Sequence, residues 1–395
     1  MDYLQINPEQ LSPLTIELIS LAAFAALVLL FTLMPSLNLI IKSSKIKRKR
    51  KTEHNFDYEG ISIIVISGFH TDCLRACVEN IYSQNTQQPV EIIIVNTNGE
   101  EHTEYAIKML QADYPEIKHT FVPIQSRHLS KRKLAITLGI KAASYPIVLF
   151  TTANIIPKTE GWLESVMSRF KNGADIVIGT TVLRNVKTGE TVGKIRAFDS
   201  VKALLRRIPA ALKGSPVGAD SANLAYRKKL FFNNKGFSDT LNLNYGDDDI
   251  FISEIAKNHR VAVDISKDSV LTLHEENPKQ VYDIERKSRL FTQSKLRRTP
   301  FITSGIQDIL WWVWLLSSIA AIFFGLPSLL PAVCIFVIAI FLIVPLSIRW
   351  RKVTKILSLP YHTLILPFLS LINPFIYLRY KINFGRKPRN YTWQN

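Results

Sequence analysis

The chain has 395 residues, of which 47% are hydrophobic, and a formal net charge of +17 at pH 7. A chain of this length normally forms two or three structural units. Three cysteines exclude a disulfide-rich scaffold, and the lack of a Gly-rich phosphate loop excludes the P-loop and dinucleotide-binding classes.

The first predicted element is an uncharged run at residues 18–41. About 20 helical residues cross a bilayer, so one membrane span is predicted here. A cleavable signal peptide is the alternative, but the run is too long for one and no basic cluster precedes it. We therefore predict an N-terminal transmembrane anchor at residues 1–42.

A basic cluster follows this span at once, at residues 42–51. By the positive-inside rule, it places the N-terminus outside and the rest of the chain in the cytosol. Such a cluster can also bind nucleic acid, but beside a span it favours topology and attraction to anionic lipid. We predict a basic juxtamembrane linker at residues 43–58.

Residues 59–305 are predicted to form one cytosolic domain, because apolar runs of strand length alternate with segments of helical length. The runs are apolar at every position, which indicates an α/β domain with a mostly parallel sheet covered on both faces. Ligands bind such sheets beyond the carboxyl ends of the strands, here residues 96–99 and 151–154. The predicted strands are 61–67, 91–95, 119–123, 147–150 and 175–179, and the predicted helices are 72–83, 104–113, 131–143, 162–170, 196–212, 250–258 and 283–295.

A second uncharged run, residues 309–348, is long enough for two spans. Gly325, Pro327 and Pro331 interrupt it where a helix would have difficulty continuing. We predict two transmembrane helices within residues 306–348, which return the chain to the cytosolic side.

The last apolar run, residues 356–378, is predicted not to cross the membrane. Pro360, Pro367 and Pro374 break it, and a crossing would carry the basic tail outside, against the charge rule. Residues 349–395 are therefore predicted to hold a re-entrant or interfacial segment and a cytosolic basic tail.

Four segments of the predicted domain share their order and spacing with one known family. They are Ser130-Lys-Arg-Lys-Leu-Ala, Leu149-Phe-Thr-Thr-Ala-Asn154 followed by Gly161-Trp-Leu163, Gly218-Ala-Asp-Ser-Ala-Asn-Leu-Ala-Tyr-Arg227, and Tyr245-Gly-Asp-Asp-Asp-Ile-Phe251. Together they resemble family-2 glycosyltransferases, in particular membrane-bound processive-type and bacterial-envelope members. The resemblance implies a GT-A (Rossmann-like) fold and an inverting transfer from a nucleoside-diphosphate sugar.

The family pattern implies a catalytic base among Asp247, Asp248 and Asp249, with Asp248 first and Asp247 next. A carboxylate suits the removal of a proton from an acceptor hydroxyl. Mutual repulsion raises at least one pKa, while the start of the predicted helix stabilises the ionised forms. The alternative interpretation is a helix N-cap cluster with surplus acid.

Three of the family's positions are changed in this chain. Its metal-binding Asp-Ala-Asp is Thr152-Ala153-Asn154, its nucleoside-facing aspartate is Asn96, and its Gln-x-x-Arg-Trp motif appears as Arg286-Lys-Ser-Arg289-Leu290. The family implies Mg²⁺ or Mn²⁺, but a hydroxyl and a neutral amide bring no negative charge. No metal ligand is therefore predicted, and Asn154 occupies the position of the second aspartate in the family's metal-binding motif.

Two functional interpretations follow from these changes. In the first, cations replace the metal in a transferase that is metal-independent, since guanidinium groups pair well with phosphate. The candidate cations are Lys131, Arg132, Lys133, Arg286 and Arg289. In the second, the chain is a non-catalytic scaffold or binding partner of an active transferase. The donor-binding candidates are Asn96, Lys133, Thr152, Asn154, Arg286 and Arg289, and the acceptor-side candidates are Asp220 and Asn223.

The first interpretation is preferred. The predicted protein is an integral component of the bacterial inner (cytoplasmic) membrane, and its cytosolic domain passes sugar to a lipid-linked or polysaccharide acceptor. Its predicted partners are the nucleoside-diphosphate sugar, a lipid-linked or glycan acceptor and the bilayer. Nucleic acid is not among them, because no recognition motif accompanies the basic residues.

Overall fold

The computed structural model describes residues 13–46, 60–68, 70–97, 99–123, 129–183, 191–273, 278–325, 329–357 and 366–385. The helices are α1 (Pro13–Ile46), α2 (Leu74–Tyr82), α3 (Glu101–Asp113), α4 (Lys131–Ala142), α5 (Trp162–Lys171), α6 (Thr191–Leu212), α7 (Lys228–Asn233), α8 (Ile250–Ile255), α9 (Pro278–Gln293), α10 (Thr299–Phe324), α11 (Leu330–Ile356) and α12 (Leu366–Gly385). The strands are β1 (Ile61–Ile66), β2 (Val90–Asn96), β3 (Lys118–Phe121), β4 (Ile147–Thr152), β5 (Ile155–Pro157), β6 (Ile176–Ile178), β7 (Thr180–Leu183), β8 (Leu224–Arg227), β9 (Val261–Val263) and β10 (Val270–Leu273).

The main sheet has seven strands in the order β3-β2-β1-β4-β8-β6-β9. Its first four strands are parallel, so that Ile63 on β1 lies between Ile92 on β2 and Leu149 on β4. Strand β8 runs antiparallel to both of its neighbours, β4 and β6. The predicted α/β class and mostly parallel sheet are confirmed.

The apolar runs of the strands follow from burial on both faces. On β1, Ile61, Ile63 and Val65 pack in a core with residues of α2, α3 and α5. Ile64 and Ile66 point the other way, into a core shared with α4, α6 and α8. Side chains alternate along a strand, so a strand between two helical layers needs apolar residues at every position.

A second sheet of three strands, in the order β5-β10-β7, extends the domain. Strand β10 is antiparallel to β5 and parallel to β7. Neither the strands of this sheet nor β9 are among the strands predicted from the sequence.

Helices α1, α10 and α11 are long and apolar enough to cross a membrane, with candidate spans Thr15–Ser44, Thr299–Phe324 and Leu330–Ile356. Small residues of α1, such as Ala22 and Ala25, allow it to pack closely against Trp311 of α10. The outer faces carry exposed large apolar side chains, as surfaces that contact lipid do.

The predicted break between the last two spans is confirmed. Helix α10 ends at Phe324, and Pro331 lies in the first turn of α11, where proline is tolerated. Pro327 lies outside the described residues.

The domain-side ends of the spans are fixed to the soluble domain. Leu37 and Ile40 near the end of α1, and Trp350 and Val353 near the end of α11, are buried in the same core as α4, α6 and α8. The spans therefore continue into the core of the domain.

Part of the expected re-entrant segment, residues 356–378, forms the helix α12. It contains Pro374, packs against α9 and α10, and is not among the candidate spans. Ile356 is instead the last residue of α11, and Pro360 lies outside the described residues.

A polar network ties α12 to three other helices. The Asp308 carboxylate of α10 accepts from Lys202 Nζ of α6 at 2.5 Å and from Asn373 Nδ2 of α12 at 3.0 Å. Asn373 accepts in turn from Arg286 of α9 at 3.1 Å, and Arg286 pairs with Asp199 of α6. Each member thus has a partner, as buried polar groups require.

Candidate active site

The carboxyl ends of β1, β2 and β4 meet at one edge of the main sheet, because these strands are parallel. Since β8 is antiparallel to β4 and Phe150 pairs with Leu224, the residues before β8 reach the same edge. The N-terminus of α4 also lies there, because α4 leads into β4. The four segments that suggested the family therefore converge at this edge.

Asn96 and Thr97 follow β2 at this edge. The Asn96 side chain is 1% exposed, accepts from the Gly99 N–H at 3.1 Å and donates to the Glu100 carbonyl at 3.4 Å. It therefore closes the turn in which a nucleoside was expected. The neighbouring Thr97 hydroxyl is buried without a hydrogen-bond partner among the described residues.

Thr152 and Asn154 stand where the family has its metal-binding aspartates. The Thr152 hydroxyl donates to Asn154 Oδ1 at 2.9 Å, and Asn154 is 4% exposed. In the described part of the chain, no group of three or more His, Cys, Asp or Glu side chains is arranged to hold a metal ion. Neutral oxygens that bond to each other do not fit a hard divalent cation, which prefers carboxylate ligands.

Asp247 is paired with a cation from α4. Arg132 Nε donates to Asp247 Oδ2 at 2.7 Å, and Arg132 Nη2 donates to Ser221 Oγ at 2.6 Å. Arg132 lies in the first turn of α4, where the helix dipole disfavours a positive charge, so the contact with Asp247 offsets this cost. The pair joins α4 to the loops before β8 and α8.

Asp249 is the N-cap of α8, which matches the alternative interpretation for this residue. Its carboxylate accepts from the Ile250 N–H at 2.6 Å. Burial raises the pKa of Asp249, while a hydrogen bond from Thr292 and the charge of Arg207 oppose that shift. These partners give Asp249 a structural role.

Asp248 differs from both neighbours because its carboxyl group has no hydrogen bond or ion pair within the described ranges. Its backbone carbonyl accepts from the Ala219 N–H at 2.8 Å, which joins this loop to the one before β8. Burial, followed by the charges of Asp247 and Asp249, raises the pKa of Asp248 to about 8. A half-buried carboxyl group with a pKa near neutrality has the properties of a general base.

Arg207 of α6 is a site residue that the sequence did not reveal. Its charge, after that of the neighbouring carboxylates, acts on the pKa of Asp248. It lies over Gly218, whose φ is +144° and where a Cβ would come within 3.0 Å of Arg207 Nε. Glycine at 218 therefore gives this guanidinium room.

The structure encloses Lys133, one of the donor-binding candidates. Its side chain is 0% exposed, and its ammonium donates to the Thr240 carbonyl at 2.6 Å near the ring of Phe237. Burial lowers the pKa of Lys133 to about 8, although nearby aspartates oppose the shift. An ammonium enclosed in this way does not face a donor diphosphate.

Arg286, another donor-binding candidate, is also enclosed. Its guanidinium is buried between Asp199 and Asn373 in the polar network of α6, α9, α10 and α12. Arg289, one turn further along α9, is half-buried, and its charge lowers the pKa of Arg206. These arginines lie with α6 rather than with the end of β4.

The two acceptor-side candidates have different surroundings. Asn223 is 1% exposed; its Nδ2 donates to the Thr180 and Ser269 carbonyls, and its Oδ1 accepts from Trp162 Nε1. This amide joins the two sheets, which argues against a contact with an acceptor. Asp220 is half-buried near Arg132 and remains at the open edge of the site.

Comparisons with known proteins agree with this arrangement. Residues 62–232 match the family model described as Glycosyl transferase family 2. This stretch includes Arg132, Thr152 and Asn154 and ends before Asp247. No curated protein sequence matches the chain.

Among solved structures, the chain is similar to the mannosyltransferase PcManGT from Pyrobaculum calidifontis in complex with GDP-Man and Mn²⁺. The TM-score is 0.54 at 17% identity, over 89% of this chain and 99% of that chain. A likeness at this identity shows the fold alone. Residues 62–232 therefore match a glycosyl transferase family 2 domain, and the chain has the GT-A fold, flanked by helices able to span a membrane.

Proposed function

We propose that the domain transfers a sugar from a nucleoside-diphosphate donor to a lipid-linked or polysaccharide acceptor at the cytosolic face of the bacterial inner membrane. The family supports glycosyl transfer, and the neighbour that holds GDP-Man supports a nucleotide-sugar donor. The three candidate spans, whose domain-side ends enter the core of the domain, support an acceptor held at the membrane.

In the proposed reaction, Asp248 is the catalytic base. The acceptor hydroxyl gives its proton to the Asp248 carboxylate while its oxygen forms a bond to the anomeric carbon of the donor. The bond from that carbon to the diphosphate oxygen breaks on the opposite side, so the configuration inverts, and the diphosphate leaves with the bonding electron pair. The observation that carries this proposal is the raised pKa of Asp248, whose carboxyl group, unlike those of Asp247 and Asp249, has no hydrogen bond or ion pair among the described residues.

Negative charge that develops on the diphosphate needs a positive partner at the same edge. Thr152 and Asn154 do not fit a metal, and Lys133 and Arg286 are enclosed, which leaves Arg132 and Arg207 as partly exposed cations beside the carboxylates. Arg132 lies in the first turn of α4, next to the end of β4. Its contact with Asp247 orients the guanidinium, and Asn96, Thr152 and Asn154 contribute neutral hydrogen-bonding groups to the donor side. We propose that Arg132 replaces the metal.

A non-catalytic, nucleotide-binding or scaffold role is the second candidate. It is favoured by the mutual hydrogen bond of Thr152 and Asn154 and by the pairing of Asp247 with Arg132, because both satisfy the site without substrate. In this case Asp248 serves only to join the loops before β8 and α8.

The two candidates differ in the effect of Asp248→Asn. The purified full chain is reconstituted in bilayers with labelled nucleotide sugars and lipid extract, and sugar incorporation is measured beside nucleotide binding. The proposed transferase predicts that Asp248→Asn lowers turnover at least about a hundredfold and leaves nucleotide binding unchanged. Turnover that persists in Asp248→Asn excludes this residue as the base, and nucleotide binding without turnover in the unaltered chain supports the second candidate.

A further inference from the structure

A cavity of about 430 Å³ lies at the junction of the spans and the soluble domain, away from the candidate active site. It is enclosed by the second half of α1, the start of α10, the end of α11 and one side of α6. All three spans meet the domain at this end, so the cavity lies where lipid headgroups meet the protein.

The charge of the lining is strongly unbalanced. Lys202, Arg206, Lys213 and Arg297 line the cavity together with one acidic residue, Asp308. That carboxylate is already bonded to Lys202 and to Asn373. The other three cations have no ion-pair partner among the described residues, so the cavity has an excess of positive charge.

Two buried donors in the lining also lack acceptors. Arg206 Nε and Trp350 Nε1 are buried without a hydrogen-bond partner in the part of the chain that the structure describes. Trp350 is 7% exposed, and the Arg206 guanidinium lies 4.5 Å from the centre of the Phe301 ring. An unpaired buried donor is costly, so both indicate an acceptor other than the residues that the structure describes.

The remainder of the lining is apolar and continuous with the surface of the spans. It includes Leu33, Leu37, Leu205, Ile306 and Leu346. A soluble anion would gain nothing from these side chains, whereas the glycerol and first methylenes of a lipid would be buried by them.

We infer that this cavity binds an anionic phospholipid of the surrounding bilayer, with its headgroup phosphate against Arg206 and Trp350 and its chains along α1, α10 and α11. Burial, followed by the charges of Arg289 and Arg207, lowers the pKa of Arg206 to about 9, and the negative charge of a phosphate beside it would favour the charged guanidinium against both causes. The site is independent of the proposed transfer reaction: Arg206 lines the cavity, whereas Arg207 acts on the aspartates at the sheet edge.

The test uses the purified full chain in detergent and measures retained phosphatidylglycerol by native mass spectrometry, with phosphatidylcholine as the zwitterionic comparison. Adjacent arginines provide a matched pair, because Arg297 lines the cavity and Arg298, also exposed, does not. Arg297→Gln should weaken phosphatidylglycerol retention roughly fivefold and Arg298→Gln should leave it unchanged. Arg206→Gln should weaken phosphatidylglycerol retention further. If Arg206→Gln does not fold, Arg297→Gln still tests the inference, because Arg297 is exposed and its substitution should not affect folding.

Three results would overturn the inference. Equal effects of Arg297→Gln and Arg298→Gln would show general attraction of lipid to a basic surface. Equal retention of phosphatidylcholine would remove the requirement for net negative charge. Displacement of phosphatidylglycerol by millimolar inorganic phosphate, on the order of 10 mM, would assign the cavity to a free anion, since a lipid held also by its chains resists such competition.

Discussion

At the scale of single residues, three adjacent aspartates have different tasks because they have different partners. Asp247 accepts from Arg132, Asp249 accepts from the first N–H of α8, and Asp248 keeps a protonatable carboxyl group open to the site. The sequence located this triplet, and the family pattern ranked Asp248 first. The sequence could not reveal Arg207, because Arg207 and Asp248 are far apart along the chain and no local pattern indicates that they are close in space.

The raised pKa of Asp248 predicts a pH dependence of turnover. The base must be ionised to accept a proton, so kcat/KM should rise with pH and level off above an apparent pKa of about 8. Initial rates at acceptor concentrations well below KM, measured from about pH 6 to about pH 10, test this. A profile that is flat across that range would remove Asp248 from the reaction.

The same shift predicts the pH dependence of stability. The folded-state pKa of Asp248 lies above its unfolded value of 3.8, so the folded protein holds a proton that the unfolded chain has lost between these values. Stability from this group is therefore present at low pH and is lost as the pH rises toward about 8. The thermal unfolding midpoint of Asp248→Asn should exceed that of the unaltered chain, and by more at pH 9 than at pH 5, with a difference on the order of a few degrees. An equal change of midpoint at both pH values would contradict the raised pKa of Asp248.

Asn223 gives a prediction about stability rather than catalysis. Asn223→Ala removes two donors and one acceptor, leaving the Thr180 and Ser269 carbonyls and Trp162 Nε1 unpaired. The free energy of unfolding should fall by about 3 kcal/mol or more, since each buried unpaired group costs about 1–3 kcal/mol. Chemical denaturation measures this, with Asn80→Ala on the exposed face of α2 as the control, and a change below about 0.5 kcal/mol would contradict the role assigned to the amide.

At the scale of elements, the sequence predicted the strands and helices between residues 61 and 152 to within about three residues, because continuous apolar runs mark strands buried on both faces. Lys133 and Arg286 show why the site was harder to predict. A positive charge on a helix face is normally solvated, and only the packing of α4 against the loop at Thr240, or of α9 against α6, encloses it. Such enclosure depends on residues about 90–110 positions away, which no local pattern reports.

The network between α6, α9, α10 and α12 predicts a structural effect of Arg286. Arg286→Met leaves the Asp199 carboxylate buried without its partner, which should cost about 3–5 kcal/mol and lower the unfolding midpoint. Nucleotide binding at temperatures below unfolding should be unaffected. Lys287→Met, at an exposed neighbouring position, is the control; loss of nucleotide binding in folded Arg286→Met would restore the donor-binding expectation.

At the scale of the whole molecule, packing between the candidate spans and the soluble domain fixes the position of the sheet edge relative to the spans. The ends of α1 and α11 pack into the core that also holds α4 and α6, so the open edge of the site keeps a fixed position relative to these two candidate spans. Composition alone predicted the three spans, because apolar runs of sufficient length are unambiguous. The polar docking of α12 was not predictable, since it depends on single residues from four helices.

Membrane topology can be tested at the C-terminus. Three crossings by α1, α10 and α11, without a crossing by α12, place Asn395 on the same side as the soluble domain. A reporter active only in the cytosol should be active when fused after Asn395 and when inserted in the soluble domain. Activity of an externally sensitive reporter at Asn395 would show that α12 crosses.

The central claim is that a cation, rather than a metal, meets the diphosphate at the edge of the sheet. The most direct measurement is calorimetric titration of the purified full chain with uridine and guanosine diphosphates, first in EDTA and then with Mn²⁺. We expect one of the two nucleotides to bind with the same affinity in both conditions, and Arg132→Gln to weaken it about tenfold or more while Lys131→Gln changes it little. Binding that requires Mn²⁺, or that is unchanged in Arg132→Gln, would contradict the account.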